Sequence, residues 1–205
     1  MNDFNSEYHN NFDTAIQLTK KAGYSIPFET HLLKKNTQLL NHLTLEGVYS
    51  IFQNEFGKPN GNFNLREIKG QCIKVHSEMQ SMLLSKLNLQ TIITVGYVNY
   101  NGQDMFKFET IGNHNIRRVN QDGKTELDIH VWLTLPSYEV LDFTFIAHLA
   151  YVNYPREKKI LLEDAPTFIF NSGSAQKVFE SENCRYFPKF VGKDILIQNG
   201  FIQIR

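Results

Sequence analysis

The sequence predicts an α+β fold, in which helices come first and a mostly antiparallel β-sheet follows. Three observations support this prediction. Apolar residues recur at helical spacing in the first third of the chain, another amphipathic segment occupies residues 72–87, and from Thr91 the apolar period changes to two. A run of helices followed by strands joined through short turns is typical of α+β chains.

The first predicted helix lies near the N-terminus. Phe12, Ile16 and Thr19 recur at helical spacing, and Gly23 is a suitable stop signal at the C-terminal end. The prediction is therefore one amphipathic helix that ends shortly before Gly23.

Two further amphipathic segments complete the helical region. FETHLLKKNTQLLNHL carries a leucine face, and TLEGVYSIFQNEF follows it. The stretch GKPNGNFN at residues 57–64 is dense in turn residues and separates this region from the rest. We expect a helical region at residues 1–60 that packs on or caps a core at residues 61–205.

The core is predicted to begin with a helix, CIKVHSEMQSMLLSKL, that ends at Asn88, since asparagine tolerates the left-handed conformation of a helix stop. TIITVGYVNY and DMFKFET then flank Asn101-Gly102, a strong signal for a two-residue hairpin. Further strands are predicted in LDIHVWLTLPSYEVLDFTF, TFIF and KDILIQNGFIQIR. The buried stripe of the helix is predicted to consist of Val75, Met79, Met82, Leu83 and Leu87.

The hairpin LDIHVWLTLPSYEVLDFTF carries a histidine and an aspartate among apolar residues. Buried ionisable groups are costly unless they are paired, so His130 and Asp142 are expected to meet. The register that gathers the apolar residues on one face puts these two on the other. A three-residue loop that pairs Thr134 with Tyr138 sets them directly opposite. A loop one residue further along leaves them diagonal on the same face.

Cys72 is the candidate nucleophile. It begins a predicted helix, where free N–H groups and the helix dipole favour a thiolate. Gly70 is expected to allow close approach of the backbone beside it. An imidazole and a carboxylate would complete the set for covalent acyl transfer. The alternative is a structural cysteine in the core, although we expect Cys72 to lie off the apolar stripe.

Four short motifs occur in order along the chain. They are GQC at residues 70–72, MLLSKLNLQTIITVGYV at 82–98, His-Val-Trp at 130–132 and Asp-Phe-Thr at 142–144. Together they resemble the transglutaminase-like superfamily, a branch of the papain-like cysteine enzymes. Motifs that occur jointly and in order are more specific than any one alone. The resemblance covers residues 65–145 and implies a Cys-bearing helix packed on an antiparallel sheet.

The resemblance also implies three roles. Cys72 would be the nucleophile, His130 the general acid/base and Asp142 the carboxylate that orients the histidine. Members of the superfamily include proteases, amidases, deamidases and acyltransferases, and some have lost activity. Phe143 stands where the family commonly has proline, and Ile73 where it commonly has an aromatic residue, which leaves the substrate type open.

Three other residues are candidates for supporting roles. Gln71 is a candidate oxyanion donor, beside the backbone N–H of Cys72. Trp132 is a candidate wall of the cleft, and a place in the core is the favoured alternative. His76, four residues after Cys72, suggests a zinc site together with the triad, but this spacing is a weak signal. We expect no metal and no other cofactor.

Composition and charge disfavour several classes. The net charge is zero over 205 residues, which argues against a nucleic-acid binder. The N-terminus lacks the pattern of a secretory signal, and no stretch approaches about 18 unbroken apolar residues, so no membrane association is expected. Two cysteines, Cys72 and Cys184, fit a reducing compartment. We expect a cytoplasmic protein, although a bacterial effector delivered without a signal peptide would have the same features.

The expected function is cysteine-dependent acyl transfer on a peptide or protein amide, as a protease, amidase or deamidase. Two alternatives remain open. The same fold would also serve as a non-catalytic peptide- or protein-binding module, in which Cys72 reacts as an ordinary thiol. An arylamine-N-acetyltransferase-like enzyme would use the same triad with an acyl-CoA donor and form a thioester on Cys72. The oligomeric state does not follow from the sequence.

Overall fold

The computed structural model describes residues 4–35, 37–57, 65–108, 117–119, 125–127, 129–153, 170–171 and 184–202. They form helices and a mostly antiparallel sheet, so the predicted α+β class is confirmed. In chain order the elements are α1 (Phe4–Lys21), a 3-10 helix (Phe28–Leu32), α2 (His42–Phe56), α3 (Leu65–Ile68), α4 (Cys72–Leu87), β1 (Ile92–Tyr100), β2 (Gln103–Met105), β3 (Arg117–Val119), β4 (Thr125–Leu127), β5 (His130–Thr134), β6 (Val140–Asp142), α5 (Phe145–Asn153), β7 (Phe170–Asn171), β8 (Cys184–Val191) and α6 (Asp194–Gln198).

The chain divides into two compact units. The first comprises Met1–Leu32, Ile92–Val131 and Lys177–Arg205, and the second comprises Leu33–Thr91 and Trp132–Gln176. The predicted boundary between residues 60 and 61 stays a prediction. Among the described residues, no helix has the length and apolar character that crossing a membrane requires.

In the first unit, β1 pairs antiparallel with β2 on one side and with β8 on the other. Asn101 and Gly102 join β1 to β2 with φ of 50° and 80°, so the predicted two-residue hairpin turn is confirmed. Helix α1 packs on β8, and the hydroxyl of Thr19 accepts the N–H of Val191 at 2.9 Å. The predicted end of α1 is also confirmed, since Gly23 has a φ of 81°.

The last described segment of the first unit is a helix where the sequence predicted a strand. Helix α6 replaces the predicted strand KDILIQNGFIQIR over Asp194–Gln198, and residues 203–205 lie outside the described part. The carboxylate of Asp194 lies in the first turn, where the helix dipole favours it, and accepts the N–H of Ser25 at 2.7 Å. That hydrogen bond holds the pKa of Asp194 below its usual value. A contact 169 residues away in sequence therefore favours the helix.

In the second unit, α2 packs on α4 and α3 packs on α5. The predicted helix at residues 72–87 is confirmed, and Asn88 ends it in the left-handed conformation at a φ of 48°. Of the predicted apolar stripes, these side chains are buried: Val48, Ile51, Phe52, Val75, Met79 and Leu83. Leu87 is 37% exposed, so its predicted place in the buried stripe is wrong.

The sequence predicted a long helix in the leucine-rich segment before α2, and this prediction is wrong. After the 3-10 helix, the described residues of this segment run without helical structure to Asn41. The N–H of Lys34 donates to the carbonyl of Pro136 at 2.8 Å. The carboxylate of Glu139 accepts the N–H groups of residues 39 and 40, at 2.7 Å and 3.1 Å. The N–H groups of residues 34, 39 and 40 therefore donate to residues 136 and 139, which are distant in sequence, and not to the carbonyls of a helix.

The turn between β5 and β6 sets the register of the second unit's hairpin. Thr134 pairs with Val140, and the N–H of Tyr138 donates to the carbonyl of Leu135 at 2.8 Å. Tyr138 has a φ of 66°. The loop is therefore residues 136–138, a turn with proline at its second position followed by a left-handed residue, which is a common three-residue hairpin.

The observed register is one of the two registers that the sequence allowed for this hairpin. The pairing of Thr134 with Tyr138, which sets His130 directly opposite Asp142, is wrong. The loop one residue further along is the one observed, since Thr134 pairs with Val140 and Leu133 with Leu141. Proline favours the second position of the turn, which is the physical reason for the shift.

Removing the carboxylate of Glu139 is expected to destabilise the second unit. Glu139 is 8% exposed, and it accepts the N–H groups of residues 39 and 40 and the hydroxyl of Ser137. Glu139→Ala leaves these donors without their acceptor, so the free energy of unfolding in urea should fall by about 2 kcal/mol. Glu139→Gln, which keeps one acceptor oxygen, should lose roughly half as much.

The control is Glu46→Ala. The carboxylate of Glu46 is exposed and lies 3.5 Å from the exposed ring of His42. This substitution should leave the urea midpoint almost unchanged. Equal stability of the Glu139→Ala variant and the parent protein would contradict the role of this carboxylate.

Candidate functional site

Cys72 is the first residue of α4 and lies on its buried face. It is 9% exposed, and the other residues of that face, Val75, His76, Met79 and Leu83, are buried with it. The expectation that Cys72 lies off the apolar stripe is wrong, because positions 72, 76, 79 and 83 follow the helical period. The candidate nucleophile therefore packs into the second unit at the start of its helix.

The residues just before Cys72 shape the start of α4. Gly70 has a φ of 72°, and an added Cβ would meet nothing within 4 Å. The expected close approach of the backbone is therefore wrong, and the glycine is needed for its left-handed conformation. Gln71 is the exposed N-cap residue, and its side chain makes no capping hydrogen bond. Its role as an oxyanion donor stays a prediction.

His76 is fully buried and uses both of its ring nitrogens. Nδ1 lies 2.7 Å from the carbonyl oxygen of Cys72, and Nε2 lies 3.1 Å from the backbone nitrogen of Phe143. A carbonyl oxygen only accepts and a backbone N–H only donates, so Nδ1 carries the hydrogen and Nε2 the lone pair. The two bonds together define a neutral ring with its hydrogen on Nδ1.

Asp142 is fully buried at the end of β6, beside this imidazole. Its Oδ1 accepts the N–H groups of Thr144 at 2.9 Å and Phe145 at 3.0 Å, and also the Thr144 hydroxyl at 3.3 Å. Oδ1 lies 3.4 Å from Nε2 of His76. The predicted continuation of the strand through residues 143–145 is wrong, because a side-chain acceptor here draws the backbone N–H groups out of the ladder and into the turn before α5.

Aromatic side chains pack beside the buried ring of His76. The ring of Phe143 is fully buried, with its centroid 5.5 Å from that of His76 and 4.9 Å from that of Phe52. Hydrogen bonds in such a dry setting are electrostatically stronger than in water, and a missing partner is more costly.

His130 is the first residue of β5 and belongs to the first unit, whereas Cys72 and Asp142 belong to the second. It is 3% exposed. Its ring stacks on Phe106, with centroids 5.2 Å apart and planes 21° apart, and its centroid lies 6.5 Å from that of Tyr186. These rings restrict the orientation of the imidazole. The triad of Cys72, His130 and Asp142 stays a prediction.

Phe106 has a φ of 61°, an uncommon value for a residue other than glycine. Such a conformation costs roughly 1–3 kcal/mol and persists only where the surroundings enforce it. Nothing in the sequence indicates this residue as a neighbour of His130, because it follows β2 in a turn. The stacked contact therefore emerges only from the fold.

The other candidate positions are also placed by the structure. Trp132 is fully buried, which favours the core interpretation over a cleft wall, and Cys184 is buried at the start of β8. Within the described part of the chain, no three His, Cys, Asp or Glu side chains are grouped so as to hold a metal ion. The sequence indicated His76 only as a candidate zinc ligand together with the triad, and it missed the hydrogen bonds that join His76 to Cys72 and Phe143.

Substitution of Gly70 tests the conformation that leads into Cys72. Gly70→Ala should lower the free energy of unfolding by about 1 kcal/mol, since an L-residue is strained in the left-handed region. Gly70→Asn should lose less, because asparagine tolerates that region. Urea unfolding measures both, and an alanine variant as stable as the parent would contradict the argument.

Substitution of Asp142 tests the turn into α5. Asp142→Ala removes the acceptor of two backbone N–H groups and one hydroxyl, so the free energy of unfolding should fall by about 2 kcal/mol. Asp142→Asn keeps an oxygen in place and should lose less. The exposed Asp104→Ala is the control, and it should have a smaller effect than Asp142→Ala. Equal losses for the alanine and asparagine variants of Asp142 would contradict the role of the oxygen.

Comparison with known proteins adds no relative to this picture. No protein family matches the chain, and neither a curated protein nor a solved structure is significantly similar to it.

Proposed function

We propose that the chain is a cysteine-dependent acyl-transfer enzyme that acts on peptide-like amides. In this proposal Cys72 is the nucleophile, His130 the general acid/base and Asp142 the carboxylate that orients it. The observation that carries the proposal is that Cys72 begins a 16-residue helix and is joined through its own carbonyl to a fully buried histidine beside Asp142. The four motifs in order support a transglutaminase-like core as part of the same proposal.

The start of α4 supports the role of Cys72. The N-cap side chain of Gln71 makes no hydrogen bond to the helix, so it does not occupy the N–H groups of the first turn. Such N–H groups, aligned with the positive end of the helix dipole, are suitable donors to an oxyanion. The backbone N–H of Cys72 is the donor nearest in sequence to the attacking sulfur.

The two histidines differ in their suitability as the base. Both ring nitrogens of His76 already have hydrogen-bonding partners in the neutral ring, so this side chain has no free position for a proton from the thiol. His130 lies on β5 with its ring held by stacking on Phe106. This stacking fixes the plane of the imidazole, as a positioned general base requires, and so supports His130 as the base.

The proposed reaction has two steps. The Cys72 sulfur forms a bond to the amide carbon, the C–N bond breaks, and His130 gives its proton to the departing nitrogen, which leaves as an amine or as ammonia. Water then attacks the thioester, His130 takes a proton from the water, and the C–S bond breaks to release the acid and restore the thiolate. Attack by an amine in place of water would give transamidation.

A second candidate is a non-catalytic peptide- or protein-binding module. One observation favours it: the Asp142 carboxylate accepts three hydrogen bonds that build the turn before α5. Those bonds give Asp142 a structural reason to be present whether or not the chain catalyses a reaction. The two candidates differ in the reactivity that they require of the Cys72 thiol.

Alkylation with iodoacetamide distinguishes the candidates. In a Cys184→Ser background Cys72 is the single cysteine, and mass spectrometry follows its modification at pH 6 and pH 8.5. An ordinary thiol should react more than about a hundred-fold slower at pH 6. An active nucleophile should slow by less than about ten-fold, because an imidazolium partner keeps the sulfur ionised, and His130→Ala should restore the ordinary dependence.

The matched control is His42→Ala, which removes an exposed imidazole on α2 and should leave the alkylation profile unchanged. If Cys72 shows the ordinary dependence in both the parent and the His130→Ala variant, the enzyme proposal is wrong and the binding module is favoured. If the parent is reactive, release of ammonia or of a new amine from glutamine-containing peptides then separates deamidation from peptide hydrolysis.

A further inference from the structure

We propose that His76 is a positioning residue, which fixes Cys72 and the first turn of α4 relative to the Asp142 turn. This inference rests on the proposed function, because it explains how the nucleophile is held in place. His76 does not react in this proposal. It acts through the Cys72 carbonyl on one side and through the backbone of Phe143 on the other.

The two bonds join elements that are far apart in sequence. Nδ1 of His76 donates to the Cys72 carbonyl at 2.7 Å, within the first turn of α4. Nε2 accepts the N–H of Phe143 at 3.1 Å, across a separation of 67 residues. Phe143 directly follows Asp142. The imidazole ring of His76 therefore links the carbonyl of Cys72 to the residue next to the Asp142 carboxylate.

The geometry selects one tautomer. With its hydrogen on Nε2, the ring would direct that hydrogen at the N–H of Phe143 and a lone pair at the Cys72 carbonyl. With hydrogens on both nitrogens, the Nε2 hydrogen would suit Asp142 Oδ1 at 3.4 Å but would still oppose the N–H of Phe143. Only the neutral ring with its hydrogen on Nδ1 satisfies both short contacts.

Burial makes these bonds necessary. His76 and Asp142 are both fully buried, the ring of Phe143 lies beside that of His76, and the ring of Phe52 lies against that of Phe143, also without exposed area. A leucine at position 76 would pack on the same helix face, so packing alone does not require an imidazole. A polar ring at this depth is stable because each nitrogen has a partner, and a displaced ring would lose both partners at once.

The first test reads the tautomer in the wild-type protein. In protein labelled with ¹⁵N on histidine, two-bond ¹H–¹⁵N correlations distinguish a nitrogen that carries hydrogen from one that does not. We expect Nδ1 of His76 to carry the hydrogen and Nε2 to be free of it, and a His76→Phe variant identifies the resonance. A hydrogen on Nε2, or on both nitrogens, would overturn the inference.

The second test uses two variants that each keep one bond. In His76→Asn the amide group occupies the place of Nδ1 and retains the donor to the Cys72 carbonyl. In His76→Gln the amide oxygen reaches the place of Nε2 and retains the acceptor for Phe143. Alkylation of Cys72 is compared at equal folded fraction. We expect both variants to slow alkylation roughly ten- to hundred-fold relative to the parent, because each breaks the link between the Cys72 carbonyl and the backbone of Phe143.

The third measurement separates a positioning role from a structural one and from failure of the proposed function. Hydrogen exchange of the amides of residues 75 and 76 should stay as slow as in the parent in His76→Asn and accelerate at least about ten-fold in His76→Gln, because only the second variant frees the Cys72 carbonyl. If both variants lose protection equally, in proportion to their stability, the role is merely structural and the inference is wrong.

An ordinary thiol in the parent would refute the proposed function alone. The tautomer and the exchange difference between the asparagine and glutamine variants would still decide whether His76 holds the start of α4. Conversely, a reactive Cys72 that depends on His130, together with identical exchange in both His76 variants, would support the enzyme and refute the positioning role.

Discussion

The arrangement of the second unit depends on one fully buried contact, in which His76 on α4 binds the turn that begins at Asp142. The imidazole joins the Cys72 carbonyl to the backbone of Phe143, and the carboxylate beside it accepts the N–H groups that lead into α5. Leaving a buried polar group without a partner costs about 1–3 kcal/mol. The polar groups of this contact have hydrogen-bonding partners, so α4, β6 and the turn before α5 are held in one arrangement.

Two carboxylates act in the same way at the two ends of β6. Glu139, just before the strand, binds the backbone N–H groups of residues 39 and 40, and Asp142, at its end, binds those of residues 144 and 145. In both cases a buried acid is satisfied by main-chain donors, which stabilise a carboxylate through charge-assisted hydrogen bonds. A short strand of three residues is thereby fixed at both ends.

Carboxylate hydrogen bonds also account for three segments whose structure differs from the predicted one. The segment before α2, the strand expected through residue 145 and the strand expected at residue 194 were each predicted from apolar spacing. In each of them a carboxylate hydrogen bond involving Glu139, Asp142 or Asp194 favours a different backbone conformation. Glu139 lies 100 residues from Leu39 in the chain, and apolar periodicity contains no information about such a distant acceptor. A side-chain carboxylate that accepts main-chain N–H groups therefore overrides propensity and apolar pattern.

The sequence by itself determined the α+β class, the helix at residues 72–87 with its stop at Asn88, and the hairpin at Asn101-Gly102. It also determined the two registers open to the β5–β6 hairpin. These features depend on residues within a few positions of one another, so local spacing and turn chemistry suffice to predict them. The tertiary structure alone decided that Cys72 is buried, that His76 lies beside Asp142 and that His130 stacks on Phe106. Those contacts join residues that are distant in the chain, and only packing and the need to satisfy buried polar groups select them.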